Sequence, residues 1–242
     1  MKEENNNLQK EDISFILLTH KDFLENIKGN EFNTYAKLVT ISKVNLNMGG
    51  TNSNMERYLY EENLREELEK LRNEGVKIPG IRTVETHIKK ISKISIDGKN
   101  FNVIEIINTP NGIAYKIKQS YEGKYFVSIP YKQMQELITG VNSNMLKLYC
   151  IFNYMCNEEE YIKITRSFLC NKMGFIDTEG NRNKISIMIN ILRKLGYLHV
   201  KQEHIKEIED NGNIQMKAVN LYKLTTYKYW LELIETKKEN KK

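Results

Sequence analysis

One stretch of the chain combines an apolar stripe with side chains that can read bases and bind phosphates. In RNKISIMINILRKLG, the stripe consists of Ile185, Met188, Ile189, Leu192 and Leu195, at helical spacing. The polar residues around it are Asn181, Arg182, Asn183, Ser186, Asn190, Arg193 and Lys194. In a major groove Arg pairs with guanine and Asn with adenine, while cations late in a helix suit phosphates. The stretch predicts a DNA-reading helix over residues 181–195.

A second stretch, RTVETHIKKISKI, has the same organisation about a hundred residues earlier. Its apolar stripe is Val84, Ile88 and Ile91. Its candidate DNA contacts, with Arg and Thr early and lysines late, are Arg82, Thr83, Thr86, Lys89 and Lys90. It predicts a second DNA-binding helix over residues 82–94, in which Arg82 corresponds to Arg182.

Each candidate helix is preceded by a bracing helix and followed by a hairpin. The strongly acidic Glu61–Asn73 and the short RSFLCNKM after Thr165 are the predicted braces. Two runs rich in β-branched residues surround TPNG after the first candidate, and two longer runs surround DNGN after the second. As wings, these hairpins would contact DNA through Lys116, Lys118, Lys217 and Lys223. Acidic residues near the second tip (Glu207, Glu209 and Asp210) argue against its deep insertion.

The order helix, helix, turn, amphipathic helix and hairpin therefore occurs twice. It predicts an α+β fold, mainly helical, with two tandem winged helix-turn-helix domains. The predicted division is a disordered tail (1–12), a first winged-helix domain (13–119), a second with a C-terminal helix (125–236) and a basic tail (237–242). The polar, glycine-containing residues 119–124 mark the expected boundary.

Composition supports a polyanionic partner and gives no sign of catalysis. The 242-residue chain has a formal net charge of +6. It contains no GxxxxGK[ST] phosphate loop, no HExxH and no His-x-His pair, so we expect neither an enzyme nor a cofactor. The three cysteines match no zinc spacing, which predicts buried thiols and no metal. A polar N-terminus and short apolar runs predict a cytoplasmic protein without membrane contact.

The charged faces also suit another class of protein. A charged side opposite an apolar stripe is common on solvated helices, so a protein-interaction scaffold that does not bind DNA remains an alternative. Double-stranded DNA is the partner that the repeated pattern favours. The sequence leaves open whether the chain forms a homodimer.

The segment from Tyr125 to Leu198, about a third of the chain, resembles a known family. Its motifs YFVSIPY, NMLKLYCIFNYM, ITRSFLCNKMGF and NILRKLGYL are similar to those of the N-terminal winged helix of plasmid replication initiators and phage replisome organisers. The resemblance implies recognition of repeated origin sequences, origin melting and recruitment of host replication proteins. It places the recognition helix on Asn181–Lys194. A tandem winged-helix transcription or plasmid-partition regulator is the alternative within the same activity.

Overall fold

The computed structural model of the chain describes residues 15–44, 54–96, 99–100, 103–120, 126–208 and 214–239. Four segments named in the sequence analysis lie outside the described residues. They are the predicted tail (1–12), most of the predicted boundary (121–124), the DNGN turn (210–213) and the last residues of the basic tail (240–242).

The fold is α+β, as predicted. The helices are α1 (Lys21–Asn26), α2 (Gly29–Ile41), α3 (Glu61–Asn73), α4 (Ile81–Ile91), α5 (Tyr131–Gly140), α6 (Ser143–Met155), α7 (Arg166–Met173), α8 (Glu179–Lys194) and α9 (Tyr227–Glu239). The strands are β1 (Phe15–His20), β2 (Lys43–Val44), β3 (Asn54–Tyr60), β4 (Ser95–Ile96), β5 (Lys99–Asn100), β6 (Ile104–Thr109), β7 (Gly112–Ser120), β8 (Phe126–Pro130), β9 (Ile162–Lys163), β10 (Leu198–Ile208) and β11 (Ile214–Leu224).

Both predicted hairpins form, and each joins a sheet of the same order. The first sheet has the order β2-β3-β7-β6 and the second β9-β11-β10, all antiparallel. In each, the later hairpin strand lies between the earlier one and a strand that precedes the helix pair. The two halves of the chain therefore share a strand order as well as an element order.

The compact units do not follow the boundary expected from sequence. The chain divides into residues 1–150 and 151–242, within α6, rather than at 119–124. Strand β8, predicted to open the second domain, pairs with β1, with Ile16 opposite Ile129. This pairing holds the start of the second repeat in the first unit.

Strand β1 itself corrects an expectation, because the residues after the N-terminal tail were predicted to be helical. Its partner lies about 110 residues further along the chain. A short apolar run does not by itself distinguish a strand from a helix, and a distant partner leaves no local pattern. The expectation was wrong for that reason.

The helices after β1 and β8 repeat with a spacing of 110 residues. The buried positions Phe23, Leu24 and Ile27 of α1 recur as the buried residues of α5, which are Gln133, Met134 and Leu137. The amide Nδ2 of Asn33 donates to Oγ of Ser143, its equivalent in the repeat, at 2.7 Å. Equivalent residues that bond to each other lie near a local twofold axis within the first unit.

Several helix ends follow the local sequence signals. Helices α3, α6 and α7 have the predicted bounds, and Gly174 ends α7 with φ of +74°. One cap differs. The sequence favours Ser143 as the N-cap of α6, but Oδ1 of Asn142 accepts the amide hydrogens of Asn144 and Met145, at 3.1 and 3.0 Å.

Candidate nucleic-acid interface

Helices α7 and α8 form a capped pair in the second unit. The hydroxyl of Thr165 accepts the amide hydrogen of Phe168 at 3.1 Å and begins α7. The hydroxyl of Thr178 accepts that of Asn181 at 3.3 Å and begins α8. Each cap satisfies a backbone donor that a helix leaves unpaired. The turn between the helices is therefore defined at both ends.

One side of α8 is buried as the sequence predicted. Ile185, Met188, Ile189 and Leu192 form its inner face, and α8 packs on α7 and β10. Burying an Ile or Leu side chain stabilises a fold by about 1.5–3 kcal/mol. Rolling α8 about its axis would expose these residues, so the outward face of the helix is determined by the core.

The outward side of α8 carries four exposed residues at positions i, i+4, i+7 and i+11: Asn183, Ile187, Asn190 and Lys194. We call these four residues the α8 stripe. Neither asparagine side chain hydrogen-bonds within the part of the chain that the structure describes. Ile187 is 60% exposed. The sequence analysis missed it, although an apolar residue one turn from each asparagine is visible on a helical projection.

Arg182 was predicted to read a base, but it is engaged in the turn. Its Nε and Nη2 donate to Oδ1 and Oδ2 of Asp177 at 2.7 and 2.8 Å, and Ser167 of α7 also donates to this carboxylate. Hydrogen bonds from Arg182 and then Ser167 lower the pKa of Asp177 to about 2. A base contact would have to break both arginine bonds, so in this arrangement Arg182 positions the start of α8.

The expected equivalence of Arg82 and Arg182 is wrong. The buried residues Val84, Ile88 and Ile91 of α4 match Ile185, Ile189 and Leu192 of α8 with a spacing of 101 residues. Asn183 is therefore the counterpart of Arg82, and Arg182 is the counterpart of Ile81.

Two more predicted contacts also serve α8 itself. Nδ2 of Asn181 donates to the carbonyl of Ile176 at 2.8 Å, and its Oδ1 accepts from Lys184 at 3.3 Å. Oγ of Ser186 donates to the carbonyl of Arg182 at 3.1 Å and accepts from Arg166 at 3.3 Å. These bonds leave the base-facing role to other residues, and they add Arg166 and Lys184 as exposed cations near the helix.

Positive charge is concentrated around this helix pair. Residues 163–194 contain seven Lys or Arg and two Asp or Glu, an excess of five against the net six of the whole chain. The exposed Arg193 and Asn190 border a groove of about 280 Å³ between α8 and the hairpin, whose hairpin side includes Gln202 and Asn220. The groove presents polar atoms next to the α8 stripe.

The second predicted wing is a long hairpin. Its strands pair from Leu198 opposite Leu224 to Ile208 opposite Ile214. Lys217 is exposed in the outer half, opposite Ile205. Lys223 lies at the base, partly buried, with Nζ 5.2 Å from the centre of the Tyr161 ring. Lys217 is thus the better placed of the two predicted wing contacts.

The first predicted recognition helix presents a different outward side. Arg82, Thr86, Lys89 and Lys93 are exposed with the same spacing as the α8 stripe, and we call them the α4 stripe. Lys90, a predicted contact, lies 3.5 Å from Glu31, and Thr83 borders a cavity. The α4 stripe is dominated by positive charge.

The first predicted wing places its cations away from the tip. Lys116 is on β7, an interior strand of its sheet, with Nζ 5.9 Å from the centre of the Tyr58 ring. The side chain of Lys118 lies outside what the structure describes. The two-residue turn between Thr109 and Gly112 contains no charged residue. The geometry thus offers the first hairpin little charge for contact with phosphates.

A cavity of about 460 Å³ in the first unit contains one deeply buried cation. Lys37 is buried, its Nζ donates to the carbonyl of Lys77 at 2.6 Å, and burial lowers its pKa to about 8. Lys147, 110 residues later, donates to the carbonyls of Glu25 and Ile27 at 3.2 and 2.7 Å, and its pKa is also lowered to about 8, chiefly by burial. The repeat therefore retains a buried lysine whose ammonium binds backbone carbonyls.

Metal and thiol chemistry find no cluster to support them in the described ranges. No group of three His, Cys, Asp or Glu side chains there could hold a metal ion. Cys150, Cys156 and Cys170 are free thiols and buried, as predicted. Within the same residues, every helix is too short or too polar to span a bilayer.

The α8 stripe, with its flanking cations and groove, is the candidate interface that this geometry builds. Comparison of the chain with protein-family models, with curated proteins and with solved structures finds no match.

Proposed function

We propose that this chain binds duplex DNA, with α8 in the major groove and the β10–β11 hairpin as a wing beside it. The observation that carries the proposal is the α8 stripe itself. Its four residues project from a helix whose opposite side is buried in the core. A major groove about 12 Å wide admits one α-helix, and asparagine is suited to base edges there.

Charge supports the same proposal. The positive excess of residues 163–194 surrounds α8 and supplies the cations that phosphates require. Arg166, Lys184 and Arg193 are exposed around the helix. Phosphate contacts would hold the helix in register, and the stripe would meet the bases.

We further propose that the protein is a plasmid or phage replication initiator that recognises repeated origin sites. Two repeats with the same strand order supply two candidate recognition helices, α4 and α8. A protein with two such helices suits DNA in which a short site recurs. Helix α4 would contribute mainly phosphate contacts in this arrangement.

The central experiment is a DNA titration at increasing salt concentration. Binding should weaken linearly on a logarithmic plot, with a slope of about −0.9 per phosphate contact. Lys194→Ala should reduce this slope by about one contact on any sequence. Lys70→Ala is the matched control, because Lys70 is an exposed lysine of α3 already paired with Glu66 and Glu67. Absence of any complex at low salt would instead support a protein-interaction scaffold.

Selection of bound fragments from the source replicon tests the biological role. An initiator should enrich repeats that lie beside an AT-rich stretch. Enrichment of a single site over a promoter would contradict the initiator proposal and favour a transcription regulator. Either result leaves the DNA-binding proposal intact, since both require duplex binding.

A further inference from the structure

We infer that α8 reads A·T base pairs, with Asn183 and Asn190 on adenines and Ile187 against a thymine methyl group. The inference rests on the proposed duplex binding and specifies what the helix recognises. It follows from the chemistry of the three residues and from their freedom to make contacts outside the chain.

The two asparagines are the residues best placed for base contacts. An asparagine amide matches adenine because it can accept from N6 and donate to N7 at the same time. Asn183 and Asn190 are exposed and make no side-chain hydrogen bond within the described residues, whereas Asn181 is bonded to Ile176. Their donors and acceptors are thus available to a ligand.

Guanine recognition has weaker support on this helix. Arginine is the usual partner of guanine, and the early arginine of α8, Arg182, is hydrogen-bonded to Asp177 through two of its nitrogens. The stripe's own cation, Lys194, is in the last turn, where a recognition helix meets phosphates more readily than bases. The chemistry of the outward face therefore favours adenine over guanine.

Ile187 supplies the second half of the argument. Its side chain is 60% exposed between the two asparagines on an otherwise polar side of the helix. The 5-methyl group of thymine is the apolar feature that a base pair presents in the major groove. Contact with that methyl group would remove apolar surface of both partners from water.

The spacing of the three residues fits neighbouring base pairs. Seven residues of α-helix separate Asn183 from Asn190, a rise of about 10 Å. Base pairs follow one another at about 3.4 Å, so the two asparagines lie about three steps apart. Ile187, between them, would meet a base pair within the same short site.

The experiment changes single atoms of the DNA. A duplex that carries the site selected by the protein is compared with one in which thymines of that site are replaced by deoxyuridine, which lacks only the 5-methyl group. Loss of one buried methyl contact should weaken binding by about fourfold. Ile187→Ala should bind both duplexes equally, because its contact with the methyl group is gone.

A second pair of duplexes tests the asparagines. Replacing adenine with 7-deazaadenine removes the N7 acceptor and leaves base pairing intact. The weakening should reach about 5- to 150-fold for a bidentate contact. Asn183→Ala and Asn190→Ala should each lose this sensitivity at one position of the site. Both side chains are exposed, so thermal melting of the variants should match that of the wild type and exclude misfolding.

The outcomes separate this inference from the proposed function. If wild type forms no complex with any duplex, duplex binding and A·T reading both fall. If it binds duplex DNA but treats thymine and deoxyuridine alike, and adenine and 7-deazaadenine alike, the A·T inference alone is overturned. A preference for A·T sites that persists in the Asn183, Ile187 and Asn190 variants would also overturn it, since DNA shape would then be the feature recognised.

Discussion

Helices α4 and α8 have the same scaffold and different outward chemistry. Their buried residues correspond one to one, and both stripes occupy positions i, i+4, i+7 and i+11. The α4 stripe is Arg, Thr, Lys and Lys, and the α8 stripe is Asn, Ile, Asn and Lys. Positive charge is attracted to phosphates whatever the sequence, whereas amides and methyl contacts discriminate bases. The comparison assigns affinity mainly to α4 and base specificity mainly to α8.

The surroundings of the two helices sharpen the contrast. Residues 61–94, which include α3 and α4, contain eight basic and seven acidic residues, whereas residues 163–194 contain seven and two. Acidic α3 therefore offsets much of the charge on α4. The more basic sequence surrounds the helix whose own outward side has fewer charges, so positive residues on a helix face are an incomplete guide to a DNA interface.

The largest expected effect comes from removing both asparagines of the α8 stripe. The double variant Asn183→Ala/Asn190→Ala should lose about 1–3 kcal/mol of binding free energy per contact on the selected site. On a scrambled duplex it should bind almost like the wild type. Titration of both duplexes measures the difference.

The matched change in α4 is Arg82→Ala/Lys89→Ala. This double variant should weaken binding to selected and scrambled duplexes by the same factor and reduce the salt slope by about two contacts. A change in base preference in this variant would break the division of roles between the two helices.

A smaller effect is expected from the bond that α8 has and α4 lacks. Asp177→Asn should lower the melting temperature at pH 7, because it weakens the bonds from Arg182 and Ser167 that join the turn to α7 and α8. The pKa of Asp177 is depressed in the folded state, so its stabilisation is present above the unfolded pKa and disappears as pH falls through about 2. Melting curves of both proteins should therefore converge between pH 4 and pH 2.

Ile81→Ala provides the comparison in α4, since Ile81 occupies the position of Arg182. Its effect on melting temperature should be independent of pH in that range. If the difference between wild type and Asp177→Asn is also constant from pH 7 to pH 2, the carboxylate has no role in positioning α8.

The smallest effect should come from the equivalent lysines of the two repeats. Burial lowers the pKa of Lys37 and of Lys147 to about 8, so the unfolded chain holds these protons at pH values where the folded chain has released them. Stability from these groups must then rise with pH between about 8 and 10. Lys37→Met and Lys147→Met should each reduce that rise in thermal melts, and an unchanged pH profile in both would contradict the repeat's shared environment.

Much of the local structure could be predicted because it depends on neighbours in the sequence. The apolar periods of α3, α4 and α8 indicated their buried sides, and Gly174 marked the end of α7. Hairpin strands around TPNG could be predicted for the same reason, since a two-residue turn joins strands that are adjacent in the chain.

The candidate site was predicted less completely than the helix that carries it. Arg182, Asn181 and Ser186 have side chains typical of DNA contacts, yet each is hydrogen-bonded close to the start of α8. A residue type shows which contacts a side chain can make. It does not show whether Asp177 is near enough to occupy it, because that depends on how the turn folds.

The sequence by itself determined the helical periods, the turns and the excess of positive charge, since all three depend on nearby residues or simple counts. Only the tertiary structure decided that β1 pairs with β8, that Arg182 binds Asp177, and that Asn183, Ile187 and Asn190 face outward together. The physical reason is distance along the chain and orientation in space. Packing around α8 selects which polar side chains remain available to a partner.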